Sequence, residues 1–210
     1  MPKSSDFRIP PDGTIHGFWR WFSEVAPQLA EDHKSSDVLR ELDRRVSELG
    51  DLAWEIGPGL TASHALVITP DGDPEWLATT RRIVSFAPDI PGWEFHPARP
   101  PKAWNLKFSI ESNSAQTIDV DATSWRYVLF EFPDHKYDLV IEAKNMIGVD
   151  ENTRFSAGVI VVDGIIGESA RLDSIVDIEV VDELAPEQAA KATRMDHLAK
   201  HLRAIRVGSN

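Results

Sequence analysis

The chain has 210 residues, a formal net charge of −12 and no cysteine. The negative charge argues against binding to nucleic acid, because phosphate recognition needs clustered lysine and arginine. The lack of cysteine excludes disulfides, thiolate metal sites and a thiol nucleophile. A chain of this length buries a core without covalent cross-links. We expect a single domain over residues 1–210, or two lobes at 12–110 and 117–206 that meet at the polar stretch ESNSAQ.

The hydropathy of the chain favours a location in the cytoplasm. The first residues, MPKSSDFRIPPDG, contain no apolar segment of the kind that a secretory signal needs. The longest apolar run, AGVIVVDGIIG, is interrupted by an aspartate and glycines. It falls short of the roughly 20 residues that cross a bilayer. We therefore expect a cytoplasmic protein that has no membrane segment.

The first half of the chain predicts three helices and four strands. The first helix begins near Asp12 or Thr14 and runs to about Asp32, and the second is SSDVLRELDRRVSELG, closed by Gly50. A third helix follows Asp73, which acts as its N-cap ahead of Pro74. The predicted strands are LAWEIGPG, HALVITPDGD, WEFHPAR and WNLKFSIES.

The second half predicts strands that follow one another through short turns, and a final helix. The strands are RYVLFEFPD, KYDLVIEAKN, FSAGVIVVDG and IVDIEVVDE, and IGESARLDS is a single helical turn. The final helix is PEQAAKATRMDHLAKHLRAIR, with an apolar stripe on one face formed by Ala192, Met195, Leu198, Ala199, Leu202 and Ile205. The order predicts an α+β fold with a mainly antiparallel sheet, two N-terminal helices, one middle helix and a C-terminal amphipathic helix.

The stretch FAPDIPGWEFHPARPPKAW is the first candidate binding site. Trp93 and Trp104 beside His96 and Arg99 can form an aromatic-walled pocket with a cationic lip. The competing interpretation is a proline-stiffened connector whose tryptophans pack in the core. Glu168, in the glycine-flanked stretch DGIIGES, completes the candidate set, unless it caps the next helical turn. A catalytic role for His96 would also require a partner carboxylate.

Two further pairs have spacings that metal ions use. Asp119 and Asp121 would share one face of a strand, where they could hold Mg²⁺ or Ca²⁺. His197 and His201 are spaced i, i+4 on the final helix, a zinc-capable spacing. The aspartate pair does not continue as an EF-hand loop, because Thr123 takes the third position and glycine is missing at the sixth. No third ligand is evident for the histidine pair, so a solvated strand edge and a solvated helix face explain the two pairs as well. We predict no metal and no cofactor.

Charge is unevenly distributed along the second half. Eight acidic residues, at positions 163, 168, 173, 177, 179, 182, 183 and 187, share the stretch with Arg171 alone. The segment that follows is basic, which predicts ion pairs between the two. Each exposed pair contributes little to stability.

Four short motifs in this order resemble a family of uncharacterised bacterial cytosolic proteins. They are GFWRWF, ALVITPDGD, FAPDIPGWEFHPARP and VVDGIIGE, and the resemblance spans roughly residues 17–180. The family has no established activity, so the resemblance assigns no catalytic residue. It implies a role like that of the immunity or accessory partners of bacterial toxins.

The sequence contains no phosphate-binding loop, no G-x-S-x-G turn and no H-E-x-x-H motif. This lack of catalytic motifs, the acidic charge and the tryptophans favour a non-enzymatic protein that binds a basic protein partner. The alternative is a small-ligand-binding protein or an enzyme whose site lies around Trp93, His96, Arg99 and Glu168. A third hypothesis is a homo-oligomer formed through the apolar stripe of the last helix.

Overall fold

The structure, a computed structural model, describes residues 9–32 and 35–208, and for 205–208 the backbone alone. The chain divides into two compact units, residues 1–99 and 100–210. Residues 111–116, the predicted meeting point of two lobes, lie inside the second unit, at the turn of a hairpin. The α+β class is confirmed. None of the described helices is long and apolar enough to span a bilayer.

The first unit packs helices against a three-stranded sheet. Its elements are α1 (Asp12–Glu31), α2 (Ser36–Ser47), β1 (Ala53–Gly57), β2 (His64–Thr69), α3 (Leu77–Ser85) and β3 (Trp93–His96). The strand order is β1-β2-β3, with β1 antiparallel and β3 parallel to β2. As predicted, Asp73 is an N-cap: its carboxylate accepts from the N–H of Glu75 in the 3₁₀ turn that leads into α3.

Aromatic side chains of α1 form much of the first unit's core. Phe18, Trp19 and Phe22 are buried, because their spacing places them on one face of the helix. The indole N–H of Trp19 donates to the carbonyl of Ile83 in α3, 2.8 Å away. A buried donor is thus satisfied inside the core.

The second unit contains a hairpin, a four-stranded sheet and helices. Its elements are β4 (Lys107–Glu111), β5 (Thr117–Asp121), β6 (Arg126–Glu131), β7 (Tyr137–Glu142), α4 (Glu151–Ile166), α5 (Glu168–Ser174), β8 (Ile175–Val181), α6 (Pro186–Ala189), β9 (Thr193–Arg194) and α7 (Leu198–Gly208). Strands β4 and β5 pair with each other. The larger sheet has the order β8-β7-β6-β9, and only its β7–β8 pair is parallel.

The predicted strand FSAGVIVVDG is wrong, because these residues form most of α4. The helix is capped by Asp150, whose carboxylate accepts from the N–H of Thr153 at 3.0 Å. Gly158 lets the helix approach β8 closely, since a Cβ there would lie 2.6 Å from a methyl of Val180. A β-branched apolar run therefore crosses over the sheet as a helix and connects β7 to its parallel neighbour β8.

The predicted final helix is interrupted. Residues 190–197 contain β9 and a 3₁₀ turn between α6 and α7. Of the predicted stripe, Met195, Leu198 and Leu202 are buried in the second unit's own core, whereas the side chain of Ile205 lies outside the described residues. Self-association through this face would therefore compete with packing inside the unit.

Candidate functional site

The structure places the five predicted site residues in two groups. Trp93, His96 and Arg99 belong to the first unit, and Trp104 and Glu168 belong to the second. Trp93 is 7% exposed and packs edge-on against Phe22 in the core. In its own unit this tryptophan therefore serves as packing material.

His96 contacts a carboxylate that the sequence did not single out. Its Nε2 donates to Glu94 Oε1 at 2.9 Å. The other Glu94 oxygen accepts from the hydroxyl of Thr61 at 2.5 Å and from the N–H of Ala62 at 3.0 Å. The N–H groups of Leu60 and Thr61 donate to the same carboxylate.

These donors determine the chemistry of Glu94. The Thr61 hydroxyl first, then His96 and the loop N–H groups, hold the pKa of Glu94 well below its usual range. A carboxylate with such a pKa is a weak base at neutral pH. The arrangement is suited to holding the loop at residues 58–63 against β3. It does not suit proton abstraction.

Arg99 is engaged by two carboxylates of its own unit. Its Nε lies 2.5 Å from Glu55, and a terminal nitrogen lies 2.8 Å from Asp71 in the turn after β2. The predicted cationic lip is thus a cross-link between β1, the turn after β2 and the segment that follows β3.

Trp104 and Glu168 both lie near the point where α4 ends and α5 begins. The ring of Trp104 lies so close to Gly164 that a Cβ there would be 2.3 Å from it. Glu168 is fully buried as the first residue of α5, directly after Gly167 at φ 83°. Three residues later in α5, Arg171 forms an ion pair with Asp163 of α4, at 2.6 Å.

The two predicted metal pairs have other partners. Asp119 accepts from the Ser109 hydroxyl at 2.7 Å. Lys107 lies 2.7 Å from Asp121 and, with Thr123, lowers the pKa of that carboxyl to about 2. Over residues 9–32 and 35–208, no group of three histidine, aspartate or glutamate side chains is placed to hold a metal ion.

The two histidines of the predicted zinc pair contact different partners. His201 Nδ1 lies 2.9 Å from the Tyr127 hydroxyl, which ties α7 to β6. His197 is exposed and lies 3.8 Å from Asp196. Burial, with a smaller contribution from Asp196, raises the pKa of Tyr127 to about 12.

An acidic groove, which we define by Glu151, Arg154, Phe155, Asp177, Glu179 and Asp182, runs along the strand β8 beside the start of α4. Its volume is about 570 Å³. Four of these six residues are acidic and one is basic. Arg154 pairs with Asp182 at 2.7 Å, so the groove keeps a negative excess. Phe155 is 47% exposed, which gives the groove an apolar wall.

One buried donor in the acidic groove has no acceptor in the part of the chain that the structure describes. Within the described residues, Nε of Arg154 is buried and makes no hydrogen bond. An unsatisfied buried donor costs about 1–3 kcal/mol.

Strand β8 is an edge of the four-stranded sheet. Edge strands present unpaired backbone groups and are commonly shielded by charged side chains. Asp177 and Glu179 are exposed on β8, and Val176 is 60% exposed. The edge therefore combines backbone hydrogen-bonding groups, negative charge and apolar surface.

The sequence identified the acidic stretch but not the groove. The groove needs a helix beside β8, and the sequence analysis predicts a strand in place of that helix, α4. The signal that could have corrected this is Asp150 three residues before Thr153, with Glu151 in the first turn. The stretch forms ion pairs with Arg154, Lys144 and Arg171.

No protein-family model, curated protein or solved structure matches the chain. The resemblance to the uncharacterised bacterial family stays a prediction.

Proposed function

We propose that the chain is a non-enzymatic binding protein that holds a basic segment of another protein in the acidic groove. The groove itself is the observation that carries the proposal: four carboxylates and an exposed phenylalanine lie along the edge strand β8 and the start of α4. Opposite charges speed association and discriminate against acidic competitors. The exposed phenylalanine supplies apolar area, on which affinity depends more than on rim charges.

The rival interpretation, a ligand or catalytic site around Trp93, His96, Arg99 and Glu168, has less support. His96 and Arg99 are each engaged by carboxylates of their own unit. Trp93 and Glu168 are buried. A partner-binding role also suits the accessory function that the family resemblance implies.

Charge reversal tests the proposal. The probe is a fluorescein-labelled seven-residue peptide of alternating lysine and valine, followed by fluorescence anisotropy. We expect binding that weakens with added salt and falls about tenfold or more in the Asp177→Lys/Glu179→Lys double variant, because each lost charge contact contributes on the order of 1 kcal/mol.

The matched control is Glu24→Lys/Glu31→Lys, which reverses two exposed carboxylates of α1 and changes the net charge by the same amount. Equal binding by both double variants would show that only total charge matters, and the proposal would fail. Absence of peptide binding to the wild type would also overturn it.

A further inference from the structure

We propose that the partner segment binds by strand addition: an extended peptide pairs with β8, with apolar side chains toward α4 and basic side chains on the opposite face. This inference rests on the proposed function and specifies its binding mode. Strand addition gains affinity from backbone hydrogen bonds and specificity from alternate side chains.

Among the described residues, β8 pairs with a strand on one side only, the side of β7. The carbonyl of Val181 accepts from the N–H of Ala143 at 2.8 Å, so the backbone groups of Val181 point toward the β7 side. Backbone direction alternates along a strand, so Ile178 and Val180 present their N–H and C=O groups away from β7. The N–H of Ile178 is bonded to the side chain of Asp177, 2.9 Å away, which fits an outward direction.

The two faces beside this open edge differ in chemistry. Ile178 and Val180 pack toward Gly158 of α4, and Phe155 lies on the same helix. Asp177 and Glu179 alternate with them and therefore lie on the opposite face, where both are exposed. An added strand would place every second side chain near Phe155 and the others near the two carboxylates.

This alternation specifies the partner. A segment in which lysine or arginine alternates with apolar residues satisfies both faces at once. An acidic or uniformly polar segment satisfies neither. In the absence of a partner, the Asp177 carboxylate accepts the hydrogen bond from the N–H of Ile178. A backbone carbonyl of the partner strand can take over this role without breaking the β7–β8 ladder.

Backbone methylation of the probe distinguishes strand addition from simple charge attraction. One version of the lysine–valine peptide is N-methylated at every valine and another at every lysine, which blocks one strand edge in each case. We expect one version to bind about tenfold or more weakly and the other to bind like the parent, since several hydrogen bonds of about 0.5–1.5 kcal/mol are lost on one edge only.

The outcomes separate the two proposals. If both methylated peptides bind like the parent while Asp177→Lys/Glu179→Lys still weakens binding, strand addition is overturned and the proposed function stands. If the parent peptide does not bind, both fail.

A variant of the protein provides a second readout. Val180→Pro removes an outward N–H at an edge position where proline is tolerated, and Val180→Ala trims the side chain but keeps that N–H. We expect the proline variant to lose several-fold more affinity than the alanine variant. Circular dichroism verifies that both variants are folded, and equal affinity of the two would contradict the binding mode.

Discussion

The carboxylate of Asp177 accepts a hydrogen bond from the N–H of Ile178, its neighbour on the edge strand β8. The bond occupies a backbone donor that would otherwise be open to pairing. Together with the charge of Glu179, it shields the edge from strands of other molecules.

Neutralising this shield should promote self-association. In the Asp177→Thr/Glu179→Thr variant, the edge keeps strand-forming residues but loses charge, so we expect concentration-dependent association in sedimentation experiments at micromolar protein. The control Glu24→Ala/Glu31→Ala removes the same amount of charge from α1 and should associate no more than the wild type does. Association of both variants would indicate a general solubility effect.

Replacing Glu94 should destabilise the first unit. Glu94→Gln keeps the size of the side chain but replaces the negatively charged carboxylate that accepts hydrogen bonds from Thr61, Ala62 and His96. We expect a loss of about 1–3 kcal/mol in the free energy of unfolding, measured by urea denaturation. Glu24→Gln, on an exposed face of α1, should change it by less than about 0.5 kcal/mol.

The same carboxylate predicts a pH dependence. Its folded-state pKa is lowered, so its contribution to stability is complete above the unfolded value of about 4.3 and is lost as the pH falls toward the folded value. The difference in unfolding free energy between the wild type and Glu94→Gln should thus be constant above about pH 5 and shrink below about pH 4. A difference that stays constant down to pH 3 would contradict this assignment.

Two helical glycines should respond to alanine in opposite directions. Gly164→Ala places a methyl against Trp104, and we expect a loss of about 1–3 kcal/mol from overpacking. Gly17 in α1 has no atom within 4 Å of an added Cβ. Gly17→Ala should therefore stabilise its unit by about 0.5–1 kcal/mol through better helix propensity. Thermal unfolding of the two variants and the wild type measures both effects.

Much of the fold follows from local sequence signals. Asp73 before Pro74 marks a cap, and the apolar run in KYDLVIEAKN matches the central strand β7, which is buried at five of its six positions. α4 escaped prediction because its apolar side chains surround much of the helix, so no helical period stands out. Its β-branched residues favour a strand locally, and the cap at Asp150 together with packing on β8 outweighs that preference.

The candidate site was only partly predictable. The sequence revealed negative charge between residues 163 and 187, but pairing a helix with an edge strand is a tertiary property. The tryptophan-rich stretch predicted a pocket wall at Trp93, whereas this side chain fills the core of the first unit. His96 was predicted to need a carboxylate partner for catalysis, and it has one, Glu94, two positions earlier on the same strand. The donors that make Glu94 a weak base come from residues 60–62, which no local pattern connects to β3.

The parallel pairing of β7 with β8 has a consequence for how the second unit folds. Hairpin neighbours such as β6 and β7 meet after closing a short turn, whereas β8 reaches β7 only after residues 143–174 have been brought round as a crossover. Closing the longer loop costs more chain entropy, which slows the step. Strand β8 should consequently be among the last elements to dock during refolding, and substitutions in α4 that weaken its packing should lengthen the slowest kinetic phase.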